Sequence, residues 1–251
     1  MNLLWGMGRL EEASRCWQAG YDASVRHGMT TSIAWLQGEA MLDHRLRGDI
    51  KTALRMAEAL LKEDAPSTRY QIAPALGVRA TILSARGRHA EALADSERAL
   101  ERARTVADPQ QLVPAIVGRV RTTLAAGQRD EANALLDELF NEHGLSHEEW
   151  VADLALIATE LGRQADYLAA AARSPKHDAW REAGTAAAAG HLVEAAALFG
   201  KIGARYEEAY ARLLAAERGA SAELEAAYAY FAEQELDVYI RRCEALLRAS
   251  A

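Results

Sequence analysis

Three arginine side chains are the residues of this sequence best suited to binding chemistry. Arg79 and Arg119 each stand eight residues before a glycine of a repeated phrase, Gly87 and Gly127, and Arg121 follows closely. A guanidinium group can bind carboxylate or phosphate through two parallel hydrogen bonds. If the segments that carry these arginines stack in register, the side chains form a short basic ladder for an anionic ligand. The alternative is that each arginine pairs with an acidic side chain across its own repeat.

Trp35 is a candidate for a different kind of contact. Trp35, Trp150 and Trp180 all lie in segments whose apolar residues recur with helical spacing. A tryptophan usually packs in a core, but one that is exposed on a concave surface anchors a partner. We therefore place Trp35 beside the arginines as a candidate binding residue.

A pair of histidines has the spacing of a metal site. His143 and His147 are four residues apart, which suits zinc when both lie on one helix face. Gly144 is expected to close one helix and Ser146 to open the next, so the two imidazoles need not share a face. A polar corner between helices explains them equally well, and we expect no metal.

Nothing in the sequence forms a catalytic motif. The pair Gly200-Lys201 is followed by Ile202, so it lacks the hydroxyl residue of a phosphate-binding loop. The spacings do not indicate a Ser-His-Asp or a Cys-His arrangement. We expect no cofactor and no turnover, and the chain is not predicted to be an enzyme.

The composition indicates a folded helical protein. The chain has 251 residues, of which 50% are hydrophobic and 26% are charged, unlike a disordered chain. Alanine, the best helix former, makes up about a fifth of the sequence. The formal net charge of −7 argues against direct nucleic-acid binding. The sequence has neither a long apolar run nor a signal-like start, so we expect no membrane partner and a cytoplasmic location.

A short phrase that begins with glycine and ends with alanine organises the chain. The intervals between successive glycines are 40, 39, 40, 35 and 28 residues. A left-handed glycine can close one helix, a polar residue can start the next, and the alanine can pack between the two. The phrase therefore predicts a helical hairpin. It occurs at Gly8–Ala13, Gly48–Ala53, Gly87–Ala92, Gly127–Ala132 and Gly190–Ala195, with a weaker copy at Gly162–Tyr167.

These residues resemble the tetratricopeptide repeat, because an aromatic or apolar residue follows the alanine by four positions at Trp17, Leu136 and Phe199. The segment 195–217 is similar to the closing repeats of LuxR-like ATPase regulators and of multidomain adenylate or guanylate cyclases. The segment 239–251 is similar to a cyclase-type terminus. The resemblance implies the C-terminal helical repeat region of a large bacterial ATP-binding signalling regulator, without its catalytic domains.

We predict an all-α, right-handed tetratricopeptide-like solenoid of about six or seven helical hairpins. Residues 1–143 are predicted as longer hairpins, and residues 144–251 as shorter hairpins with C-terminal capping helices, continuous with the first part. An elongated array keeps its ends apart, so Cys16 and Cys243 are expected as free thiols in the core. Trp5 and its apolar neighbours are expected to pack against the helix of Trp17 or in a homodimer contact.

Two functions remain open at this stage. The first is a non-catalytic interaction and regulatory module that binds a protein segment or the catalytic domains of its parent protein. The alternative is a sensor that holds a small ligand in the concave groove. A long open channel favours the protein segment, whereas a closed apolar pocket with a few polar groups favours the small ligand.

Overall fold

The computed structural model describes residues 2–62, 70–145, 152–174 and 177–249. Helices make up all the regular structure of these residues, and they contain no strand, which confirms the all-α prediction. A π-helical turn spans Leu139–His143, and a 3-10 turn spans Ser221–Glu223. The α-helices of the described residues are α1 (Asn2–Gly6), α2 (Leu10–Arg26), α3 (Thr30–Leu46), α4 (Ile50–Lys62), α5 (Ile72–Ala85), α6 (His89–Val106), α7 (Pro109–Ala125), α8 (Arg129–Glu138), α9 (Leu154–Leu161), α10 (Gln164–Arg173), α11 (Ala179–Ala188), α12 (Leu192–Ile202), α13 (Arg205–Glu217), α14 (Leu224–Gln234) and α15 (Asp237–Ala249).

The glycines of the repeated phrase end helices, as predicted. At Gly48 the angle φ is +77°. The Gly48 N–H donates to the Arg45 carbonyl over 3.1 Å, and the Asp49 N–H donates to the His44 carbonyl over 2.9 Å. These bonds satisfy carbonyl groups that the end of α3 would leave free. The other glycines of the phrase share the positive φ: Gly8 (+70°), Gly87 (+80°), Gly127 (+79°), Gly162 (+78°) and Gly190 (+87°).

The alanines that end the phrase face the apolar core. Small side chains at such positions let two helix axes approach closely. The prediction of a packed alanine is therefore confirmed, and in the weaker copy a buried tyrosine takes the same place. The buried residues are Ala13, Ala53, Ala92, Ala132, Ala195 and Tyr167.

Neighbouring helices pack in a regular order. Helices joined by a glycine turn contact each other, as α5 does with α6, α7 with α8, and α11 with α12. Alternate helices also meet, as α3 does with α5, α5 with α7, and α9 with α11. Helices α3, α5 and α7 therefore lie side by side, as do α9 and α11, and one apolar core includes residues of all of them.

The C-terminal helices contact helices of the first half of the chain. The Tyr230 hydroxyl donates to the Gly48 carbonyl over 2.9 Å, and the Gln234 side-chain oxygen accepts from the Ile50 N–H over 3.1 Å. Helix α15 also packs on α5. Segments distant in the sequence therefore meet, because side chains of α14 satisfy backbone groups beside the start of α4. The separation of Cys16 from Cys243 stays a prediction.

Trp5 packs within the chain. Its indole N–H donates to the Asp43 carboxylate over 3.1 Å, and its carbonyl accepts from the Trp180 indole over 2.7 Å. Helix α1 packs on α2, as expected. Leu3 is 82% exposed and Met7 is exposed as well. A homodimer contact through these two side chains stays a prediction.

Both cysteines are free thiols, as expected. Cys243 is buried, and burial raises the pKa of its thiol to about 11, because an apolar environment disfavours the thiolate. Cys16 is exposed. The expected core position is therefore wrong for Cys16, which α2 presents to solvent.

Alanine substitutions at two glycines with open space around them test the effect of backbone strain without an effect of packing. No neighbouring atom lies within 4 Å of the position that a β-carbon would take at Gly127 or at Gly77. Gly127→Ala should lower the free energy of unfolding by about 1–2 kcal/mol, since alanine disfavours the left-handed conformation. Gly77→Ala, inside α5, should raise it by about 0.5–1 kcal/mol. Urea unfolding followed by circular dichroism measures both. Equal effects in the two variants would contradict this assignment of the helix end.

Candidate functional site

Two of the predicted arginines are held by their own helix pairs. Arg79 on α5 donates two hydrogen bonds to the Asp95 carboxylate on α6, over 2.6 and 2.8 Å. Arg119 on α7 donates to Glu131 on α8 over 2.8 Å, and to the Leu93 carbonyl over 2.8 Å. These are the pairings that the sequence left open as the alternative to a ladder. Ligand binding by Arg79 or Arg119 stays a prediction.

Arg121 lies in a different environment, only 6% exposed, in the interior of the chain. It forms an ion pair with Asp153 and donates a hydrogen bond to the Tyr206 hydroxyl. A second arginine, Arg45 of α3, pairs with Glu207 of α13 over 2.9 Å and with Asp153 over 3.8 Å. We call these five residues the closure network: Arg45, Arg121, Asp153, Tyr206 and Glu207.

The charges of the closure network balance in a buried setting. Two guanidinium groups meet two carboxylates, and both Asp153 and Glu207 are buried. Burial alone would lower the pKa of Arg45, but Glu207 and Tyr206 offset this effect and raise it. The guanidinium carbons of Arg45 and Arg121 lie 4.7 and 4.8 Å from the centre of the Tyr206 ring, where its π-electrons attract cations. The network therefore joins α3 and α7 to α13 without an unpaired charge.

A cavity of about 400 Å³ lies beside the closure network; we call it the larger cavity. Its walls come from α5 and α7 on one side and from α9, α13 and α15 on the other. Arg121, Tyr210 and Tyr239 belong to its lining. The volume lies within the range of about 300–1,000 Å³ that is typical of small-molecule sites.

The polar groups deep in the larger cavity are mostly satisfied. Arg242 donates to the Glu217 carboxylate over 2.9 Å and pairs with Glu160 over 2.5 Å. The Tyr210 hydroxyl also donates to Glu160. Burial raises the pKa of Tyr210 well above its ordinary value, and Glu160 adds to the effect, so this hydroxyl keeps its proton. Ser84, only 1% exposed, has a side-chain oxygen without a hydrogen-bond partner among the described residues.

A smaller cavity of about 100 Å³ lies on the other side of the network. Arg45, Asp153 and Glu207 line it together with Trp5 and apolar residues of α5 and α7. A space of this size holds a few water molecules rather than a metabolite. The larger cavity is therefore the candidate functional site.

Trp35 remains partly accessible, with 41% of its surface exposed. Its ring lies 5.0 Å from that of Tyr70, and the Tyr70 hydroxyl donates to Asp108 over 2.8 Å. Glu39, one turn further along α3, is buried, and one of its carboxylate oxygens has no hydrogen-bond partner among the described residues. Trp180, in contrast, is a core residue, and Trp150 lies outside the described residues.

The histidine pair is described only in part. The His143 ring nitrogen lies 3.9 Å from the Glu138 carboxylate, whereas Ser146 and His147 lie outside the described residues. In the part of the chain that the structure covers, no three histidine, cysteine or acidic side chains are grouped as metal ligands would be.

Sequence reasoning identified Arg121 but missed the other four residues of the closure network. Glu207 carried a readable signal, since it lies three and seven residues before Tyr210 and Leu214 and thus on the apolar face of α13. A charge at such a position needs a buried partner. That partner is Arg45, which lies 162 residues away in the sequence, and no local pattern indicates it.

No protein-family model matches the chain, and no curated protein matches it significantly. Across the described ranges, no helix combines the length and the apolar character needed to cross a membrane. The resemblance to tetratricopeptide regulators therefore depends on the repeated phrase and on the segments 195–217 and 239–251.

The closure network predicts a large cost for removing one charge. Arg45→Met leaves Glu207 buried without its main cation, and the free energy of unfolding should fall by about 3–5 kcal/mol. Adding Glu207→Gln removes the uncompensated charge and should restore part of the loss. Urea unfolding of both variants measures this. Arg248→Met, at an exposed position of α15, is the control and should change stability by less than about 0.5 kcal/mol. An equally small effect of Arg45→Met would contradict the role of the network.

Glu39 predicts a pH dependence. Burial raises the pKa of its carboxyl from 4.5 to about 7, so the folded state holds a proton that the unfolded state releases. The free energy of unfolding should therefore fall as the pH rises from about 4.5 to about 7, by about 3 kcal/mol in total at up to about 1.4 kcal/mol per pH unit.

Glu39→Gln tests the assignment, because it should remove this slope and be more stable than the wild type at pH 8. Glu225→Gln, at an exposed position of α14, is the matched control. A slope that persists unchanged in Glu39→Gln would assign it to other groups.

Proposed function

We propose that the chain is a non-catalytic regulatory module that senses a small molecule held in the larger cavity. The observation that carries the proposal is that helices from the middle of the chain, α5 and α7, and helices from its C-terminal part, α13 and α15, build the walls of this cavity together. The combination of a partly enclosed space, apolar walls and a few polar groups favours a small ligand over an extended peptide.

The architecture that we propose for this module is a right-handed, tetratricopeptide-like solenoid whose C-terminal helices pack against its first half. Three observations support it: the repeated glycine turns, the buried alanine or tyrosine that follows each turn by five residues, and the contacts between alternate helices. The similarity to repeat regions of LuxR-like ATPase regulators and cyclases supports a place beside the catalytic domains of a parent signalling protein.

Ligand binding at this position would stabilise the contact between the helices on the two sides of the cavity; we call this contact closure. A molecule that touches α5 and α7 on one side and α13 and α15 on the other binds the closed arrangement and not an open one. By linkage, occupancy stabilises closure by as much as the two affinities differ. A parent protein could respond to this change in stability through any surface of the module that moves when the two sides of the cavity come together.

A second candidate is binding of a protein segment at the α2–α3 corner. Trp35, Met29 and Val25 are all exposed there, in or beside adjoining helices. Aromatic and methionine side chains at an exposed corner are typical of a protein contact.

A cavity-filling variant separates the two candidates. Ala125 lines the larger cavity at an exposed position of α7, so Ala125→Trp should block ligands without unfolding the chain. Ala90→Trp, at an exposed position of α6, is the control. Ligand-observed magnetic resonance with a fragment library should give fragments that bind the wild type and Ala90→Trp but not Ala125→Trp. Fragments insensitive to Ala125→Trp, or no binding fragment, would contradict the sensor proposal. Peptide binding lost in Trp35→Ala would favour the second candidate.

A further inference from the structure

Two arginines of the larger cavity stand apart from the others that line it. Arg129, at the start of α8, and Arg218, at the end of α13, both belong to the lining and are both exposed. Neither guanidinium group forms a hydrogen bond or an ion pair with any residue that the structure describes. The other lining arginines, Arg121 and Arg242, are paired with carboxylates.

The charge of the cavity is therefore not balanced. The lining holds four arginines and two glutamates, and Arg242 occupies both glutamates, Glu160 and Glu217. Asp153, which does not belong to the lining, compensates the charge of Arg121. Arg129 and Arg218 leave two positive charges on a chain whose formal net charge is −7. Local charge of the opposite sign to the whole molecule concentrates anions at this cavity.

The interior behind these arginines has a different character. Leu124, Ile157, Leu214 and Val238 give it an apolar wall. The Ser84 hydroxyl, buried and without a partner among the described residues, is available for one hydrogen bond. A matching ligand has a small apolar or ring-shaped body with one polar group, and an anionic head at the arginines.

We propose that the larger cavity binds a phosphate monoester, with the phosphate between Arg129 and Arg218 and an apolar body inside. The proposal rests on the proposed function and names its ligand class. A phosphate monoester carries about −1.5 to −2 charges near pH 7 and has three acceptor oxygens, which suits two guanidinium forks. A single carboxylate would leave one arginine uncompensated.

Calorimetric titration with phenyl phosphate tests the inference, because this probe joins the dianion to a ring. We expect it to bind, and to bind at least about tenfold more weakly to Arg129→Ala and to Arg218→Ala. Arg102→Ala removes an exposed arginine of α6 that lies outside the cavity lining, and it should bind like the wild type. Phenol and inorganic phosphate, each half of the probe, should bind more weakly than the whole.

Two outcomes would overturn the ligand class alone. One is phenol binding that is lost in Ala125→Trp while phenyl phosphate does not bind, which leaves a neutral-ligand sensor. The other is succinate binding more tightly than phenyl phosphate, which points to a dicarboxylate. Unchanged phenyl phosphate affinity in Arg129→Ala and Arg218→Ala would place the anion elsewhere. Failure of every probe together with the fragment library would overturn the proposed function as well.

Discussion

Three buried charges, Arg121, Asp153 and Glu207, and the half-buried charge of Arg45 decide how this chain folds back on itself. Arg45 and Arg121 come from helices in the first half, whereas Asp153 and Glu207 come from the second. An ionised side chain taken out of water is strongly unfavourable unless a partner compensates it. In the structure each of the four finds that partner only in the other half. Any arrangement that keeps the halves apart and dry would leave the charges uncompensated, so the network selects the closed arrangement over other compact ones.

Arg119 and Arg121 lie two residues apart on α7 but point to opposite sides of the helix and have different partners. Two residues along an α-helix correspond to a rotation of about 200°. Arg119 therefore faces α6 and α8, where it meets Glu131 and the Leu93 carbonyl. Arg121 faces the opposite way, toward Tyr206 and Asp153. Arg119 stabilises the packing of neighbouring helices, and Arg121 stabilises the contact between helices that are distant in the sequence.

Local features of the fold were predictable from the sequence, and distant ones were not. The glycine turns and the buried alanines follow from steric rules that involve a few adjacent residues, and they occur where the phrase predicts them. The meeting of Gly48 with Tyr230 depends instead on how all the helices between them pack. No single residue encodes that arrangement. The same limit applies to the larger cavity, since its walls are assembled from helices of the middle and of the C-terminal part of the chain.

Gly48 carries the consequence of closure most directly. A β-carbon there would lie 2.8 Å from the Tyr230 hydroxyl and 2.9 Å from the Tyr206 backbone nitrogen, so the close approach as well as the positive φ requires glycine. Open repeat proteins gain and lose units freely in evolution, because each unit touches only its neighbours. Here a duplicated or deleted helix pair would carry Gly48 away from α13 and α14 and separate the halves of the charge network. The close approach at Gly48 thus ties the number of helices between α3 and α13 to the contact that these distant segments make.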